Sequence, residues 1–158
     1  MIFIDADSYP KPKLIKECIN AIKSGKYIGF GATIKPDRSK LWYRFVIFVT
    51  NINLRRYKAA IGAFIGCDAE AFRAIGGFNA KIYYLEEMDF SIRLKEFGRQ
   101  AGKEFAVFYK SPLVYSGRRA YRMKWREFNK LNLEGIKNPE MLKDKKHWEA
   151  WYKKDNDL

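Results

Sequence analysis

The sequence predicts an α/β domain, and three observations carry that prediction. Short apolar runs rich in β-branched residues stand at 2–4 (IFI), 27–34 (YIGFGATI), 60–67 (AIGAFIGC) and 104–109 (EFAVFY), as buried strands do. Between them lie segments whose apolar residues recur every three to four positions, the spacing of one helix face. Capping or breaking residues mark the changeovers. Alternation of this kind gives a sheet covered by helices. The chain has 158 residues, 47% of them hydrophobic and 16% aromatic, which suffices for one domain with its own core.

Each element has a local cause. Ile2, Phe3 and Ile4 form an opening strand that stops at Asp5-Ala6-Asp7, and Ser8 and Pro10 continue the turn. Residues 11–24 place Leu14, Ile15, Cys18, Ile19 and Ile22 on one stripe, and Gly25 closes that helix. The strand at 27–34 runs into the turn residues Pro36 and Asp37. In 39–53, Leu41, Phe45, Phe48, Val49 and Ile52 fall at helical spacing and are expected to face the core. Asp68 caps a short helix, AEAFRAI, ended by Gly76-Gly77, and a further helix over 86–97 is closed by Gly98. A strand at 104–109 and a short one at 112–116 complete this part, assigned as residues 1–136. The charged tail, 137–158, with Trp148 and Trp151, is expected to be a helix docked by its aromatic rings.

Charge and composition narrow the classes. Thirty-one basic against 18 acidic residues give a net charge of +13, a field that attracts phosphate groups of a nucleotide, a nucleic acid or an anionic membrane. The segment GRRAYRMKWREF, from Gly117, interleaves bases with aromatics, but no helix-turn-helix, zinc-ligand or RNP-like pattern accompanies it. Cys18 and Cys67 sit in apolar segments and read as buried, reduced thiols. A single histidine, His147, excludes a histidine-rich metal site. Residues 41–57 are interrupted by Arg44 and Asn51 and are too short to span a bilayer, though they suit a core helix or one lying on a membrane surface. The expected location is cytoplasmic, at most peripheral to a membrane.

Two acidic clusters carry the chemistry. Asp5 and Asp7, one residue apart beyond a buried strand, can turn toward one point and hold Mg²⁺ or Mn²⁺, with water and substrate phosphate completing its shell. Carboxyl ends of strands are also where open α/β sheets bind ligands. Glu86, Glu87 and Asp89 crowd the start of the later helix, where the macrodipole favours negative charge, and Asp89 can pair with Arg93 four residues on.

The order of these motifs, strand–DAD, then GAFIGCDAEAFRAIGGFN, then EEMDFSIRL, then a strand and a basic turn, resembles the family 2 glycosyltransferases of GT-A type. The match runs from about Ile2 to Arg119. The resemblance implies a partial GT-A-like mixed sheet (a nucleotide-diphospho-sugar transferase fold) flanked by helices. It also implies inverting transfer of a sugar from a nucleoside-diphosphate sugar to a saccharide or lipid-linked acceptor. Asp5 and Asp7 would ligate the metal and donor diphosphate, with Arg118 and Arg119 adding positive charge. Glu87 would be the general base, flanked by Glu86 and Asp89. Burial among like charges would raise the Glu87 pKa into working range.

The sequence departs from that family in several respects. The nucleotide-binding, Rossmann-like half that ordinarily precedes the DxD strand is not present ahead of Ile2, so the chain alone is expected to be inactive or nearly so. Tyr115 and Ser116 stand where many relatives have a metal-binding histidine, and no QxxRW motif occurs. Glu87 replaces the usual aspartate. A non-catalytic module that pairs through an exposed first strand is the alternative reading, and a nucleic-acid-binding domain a further one.

Overall fold

The computed structural model describes residues 1–118, 121, 124–127, 130, 143, 144 and 146. The tail assigned to 137–158, with His147, Trp148 and Trp151, lies almost wholly outside the described residues, as does Arg119. In chain order the elements are β1 (Ile2–Ile4), β2 (Ser8–Tyr9), α1 (Pro12–Ser24), β3 (Tyr27–Pro36), α2 (Leu41–Tyr57), β4 (Phe64–Cys67), α3 (Ala69–Ala74), α4 (Glu86–Gln100) and β5 (Glu104–Tyr115). The strands form one mixed sheet in the order β1-β4-β3-β5-β2. β3 and β5 are parallel at its centre, while β1–β4, β3–β4 and β2–β5 are antiparallel.

Two apolar clusters sandwich this sheet. One joins Leu14, Cys18 and Ala21 of α1 and Tyr43 and Ile47 of α2 to Phe30, Ala32, Phe64 and Leu113. The other joins Ala71 of α3 and Phe90 and Leu94 of α4 to Ile65, Cys67 and Phe105. Phe64 and Ile65 are neighbours in β4 yet belong to different clusters, as strand alternation requires. The result is a layer of helices on each face. Cys18 and Cys67 are free and buried, as expected, and burial pushes the Cys18 thiol up to about 12, with Glu17 adding to the shift.

Several elements differ from the sequence reading, each for a local reason. The apolar run 60–67 is a strand only over its second half. Before it the chain turns at Gly62 and Ala63, closed by the Phe64 N–H donating to the Ile61 carbonyl at 2.9 Å. α4 continues through Gly98, whose missing side chain lets the helix lie against β3; a Cβ there would stand 2.5 Å from Ile28 Cγ2. The 104–109 and 112–116 strands are one strand, because β3 pairs along its whole length from Tyr27↔Glu104 to Pro36↔Tyr115. Ser8 and Tyr9 form an unforeseen short strand against Tyr115 and Val114.

The largest correction concerns α2. Leu41, Phe45, Phe48, Val49 and Ile52 share a face as their spacing requires, but that face points to solvent, with Leu41 81% and Phe45 63% exposed. Tyr43, Ile47 and Leu54 form a second stripe, and it is this one that packs on the sheet. Asn51 fixes the choice. β4 pairs with β3 only over Gly29–Gly31, leaving the edge of β3 open beyond it. There the Asn51 side chain accepts from the Ile34 N–H at 2.8 Å and donates to its carbonyl at 2.9 Å, replacing the absent strand. No helix among the described residues is long and apolar enough to cross a membrane.

Candidate functional site

The chain just after β1 and the start of α4 meet at one turn. β1 pairs with β4 in the register Ile4↔Phe64, so Asp5 emerges beside the residue preceding β4. The Asp5 N–H donates to the Ala63 carbonyl at 3.2 Å. One residue earlier in that turn, the Gly62 N–H donates to the Glu87 carboxylate, and a Cβ on Gly62 would lie 3.8 Å from Glu87 Cδ. Consecutive residues, 62 and 63, therefore hold the Glu87 carboxylate and the Asp5 backbone. The turn is itself fixed from below: a Cβ at Gly31 of β3 would meet Ala60 Cα at 2.9 Å, so only glycine lets residues 59–60 cross the strand there. The Ala60 N–H donates to Ser91 Oγ of α4 at 3.1 Å, in the interior. α4 thus starts at the turn and ends against Ile28, at the other end of β3.

Glu87 is the electrostatically unusual residue of this site. Burial and the adjacent Glu86 carboxylate raise its pKa from 4.5 to about 7; its own N–H and that of Gly62 oppose the rise, and a hydrogen bond with the Glu86 side chain adds to it. Leu85, just before α4, takes a left-handed conformation (φ 60°) without being glycine, and offers no side-chain cap. Strain of this kind, roughly 1–3 kcal/mol, persists only where surrounding structure enforces it. Here it delivers Glu86 and Glu87 at the helix start.

Asp7 lies at the far end of β5. Its carbonyl accepts from the Ser116 N–H at 2.9 Å, and its carboxylate pairs with Arg118 at 3.2 Å. Arg118, placed with Asp7 in the sequence reading, is indeed beside it. The corner is closed by Asp37, whose carboxylate accepts from the Gly117 N–H at 2.8 Å and the Arg38 N–H at 2.6 Å. Those two bonds, the Gly117 one foremost, hold the Asp37 carboxyl below its usual range. Ser8 Oγ, next to Asp7, is buried with no hydrogen-bond partner among the described residues.

Asp89 is engaged elsewhere. Its carboxylate pairs with Arg93 at 2.8 Å, and Arg93 also donates to the carbonyls of Ile75 and Gly77 at 2.8 and 2.9 Å. That network ties the double-glycine bend after α3 to α4. Among the described residues no group of three or more His, Cys, Asp or Glu side chains is gathered as a metal cage. The sequence reading missed Gly62, Ala63 and Ser8. Gly62 inside an apparent strand was the available signal, since an isolated glycine in a strand pattern marks a turn or close approach. No protein-family model matches the chain, and no curated protein or solved structure matches it either.

Proposed function

We propose that this chain carries the diphosphate-metal and general-base part of a glycosyltransferase domain of GT-A type, family 2-like and inverting. Its donor is a nucleoside-diphosphate sugar and its acceptor a saccharide or lipid-linked hydroxyl. The observation that carries the reading is the shared turn: the Asp5 backbone and the Glu87 carboxylate are held by consecutive residues, toward the end of the sheet where β3 and β5 finish. Hard oxygen donors at Asp5 and Asp7, with the Ser8 hydroxyl, unpartnered among the described residues, next in sequence, suit Mg²⁺ or Mn²⁺, which characteristically takes one or two carboxylates and completes its shell with phosphate and water. When bound, such an ion supplies charge stabilisation to the departing diphosphate.

The chain's own residues supply the remaining chemistry. Glu87, with a pKa near neutrality, accepts the proton of the acceptor hydroxyl as its oxygen attacks the anomeric carbon. The bond from that carbon to the diphosphate oxygen breaks, and the nucleoside diphosphate leaves with the electron pair. Arg118, at the Asp7 corner, offers a guanidinium to its phosphate oxygens. Glu86 keeps Glu87 basic enough to act, and Asp89 holds the α4 entry in place.

Calorimetric titration of the full chain with manganese and inorganic pyrophosphate tests this reading. Manganese-dependent binding is expected, weakened at least about tenfold by Asp5→Asn with Asp7→Asn and not weakened by Glu87→Gln. Folded protein that binds no manganese–pyrophosphate, or binds it equally well without both aspartates, refutes it. A second reading, a module that pairs with another chain, draws on β1, an edge strand with Met1 and Ile4 exposed. A monomer in sedimentation at high concentration would remove it.

A further inference from the structure

We infer that the outer face of α2 is a docking surface for an anionic lipid bilayer, with the helix lying in the plane of the headgroups. The helix has 17 residues, about 25 Å at ~1.5 Å per residue, and is seated on the sheet by Tyr43, Ile47 and Leu54. Opposite that seat, Leu41, Phe45, Phe48, Val49 and Ile52 form a continuous apolar stripe, between 40% and 81% exposed. Solvent gives no reason for five large apolar side chains to share one outward face.

Charge selects the occupant. α2 contains no acidic residue, and exposed Arg44, Arg55, Arg56 and Lys58 flank or follow the stripe. At 100° per residue Arg44 and Arg55 fall along one side of the stripe, and Arg56, one turn beyond Ile52, continues its line at the C-terminal end. Arg55 is steadied over the Tyr109 ring at 4.5 Å. Apolar side chains bordered by arginines match the boundary between acyl chains and anionic headgroups. A second copy would bring the same basic border, on a chain of net charge +13, against itself. Residues 137–158 carry six bases and five acids, so this tail offers the border no opposite charge of consequence. A nucleic-acid backbone would satisfy the arginines and leave the stripe wet.

The test is co-sedimentation of the full chain with phosphatidylcholine–phosphatidylserine vesicles, against phosphatidylcholine alone, at low and high salt. The wild type is expected to sediment with the anionic vesicles and to release partly at high salt. Phe45→Ser with Phe48→Ser should lower the partition coefficient roughly tenfold or more. Arg44→Ser with Arg56→Ser should lower it about tenfold and flatten the salt dependence. Because these side chains are exposed, both double variants should keep the wild-type circular dichroism and melting curve. No sedimentation by folded wild type overturns the inference, as does sedimentation indifferent to the two phenylalanines. Two further outcomes also overturn it: a dimer or a complex with an acidic protein that needs Phe45 and Phe48 while vesicles are ignored, and protection of those rings from hydroxyl-radical labelling in the free monomer. Pyrophosphate binding plays no part in this readout, so its failure and the failure of the transferase reading are distinguishable.

Discussion

Replacing Glu87 by Gln is expected to stabilise the protein above neutrality and to leave it unchanged in acid. Glutamine has nearly the same shape, can accept from the Gly62 and residue-87 N–H groups, and can donate to Glu86. What it removes is a charge that the fold disfavours. The folded pKa, about 7, lies above the ordinary value of 4.5, so a proton is held in the native state over a range where the unfolded chain has lost it. Below pH 4.5 both states are protonated and the group costs nothing. Between 4.5 and about 7 wild-type stability falls as pH rises, and above about 7 the full penalty applies. At ~1.4 kcal/mol per pH unit this comes to about 3 kcal/mol, part of it shared with Glu86. For a domain of this size the melting temperature at about pH 8 should rise by roughly 5–10 °C in the variant. The assay is urea or thermal unfolding of both proteins across this pH range. Parallel wild-type and variant curves, or a variant less stable at about pH 8, would refute the assignment of Glu87 as a buried, like-charge-coupled carboxyl.

Arg93→Met should destabilise the fold by about 2–3 kcal/mol, because one guanidinium serves the Asp89 carboxylate and two carbonyls in a partly exposed site. Urea denaturation measures it, and Arg93→Lys should recover little, lacking the planar fork. Asn51→Leu should cost about 2–4 kcal/mol by leaving the Ile34 N–H and carbonyl without their partner, and should speed hydrogen exchange at the Ile34 amide in native-state measurements. A neutral or stabilising result would mean that the edge of β3 is satisfied without α2.

Local chemistry made much of the fold legible. Gly25 closes α1 in a left-handed conformation, and Asp68 accepts from the Glu70 and Ala71 N–H groups to start α3, both as their letters suggest. The Asp89–Arg93 pair follows from spacing alone. Helical periodicity told which residues of α2 lie together but not which way they face. Two apolar stripes are present, and the choice rests on Asn51 meeting an open strand edge far away in sequence. The turn at 61–63 was hidden by apolar letters that suit a strand equally well. The acids of the site were legible as residue types. That Asp5 comes to the turn contacting Glu87 depends on the pairing of β1 with β4, some sixty residues apart, which no local pattern encodes. Leu85 carries no sign in its identity of the left-handed backbone it adopts.

The junction between α2 and the acidic turn leaves little slack. The helix ends at Tyr57, Lys58 reverses the chain in a left-handed conformation, and Ala59 and Ala60 are already sealed in the interior. Whatever tilts α2 must therefore act on Gly62 and Ala63 like a lever on its fulcrum, with no hinge to absorb the motion. The turn that holds the Asp5 backbone and the Glu87 carboxylate therefore keeps a set bearing relative to the helix's outer side, and the two faces are oriented as one piece.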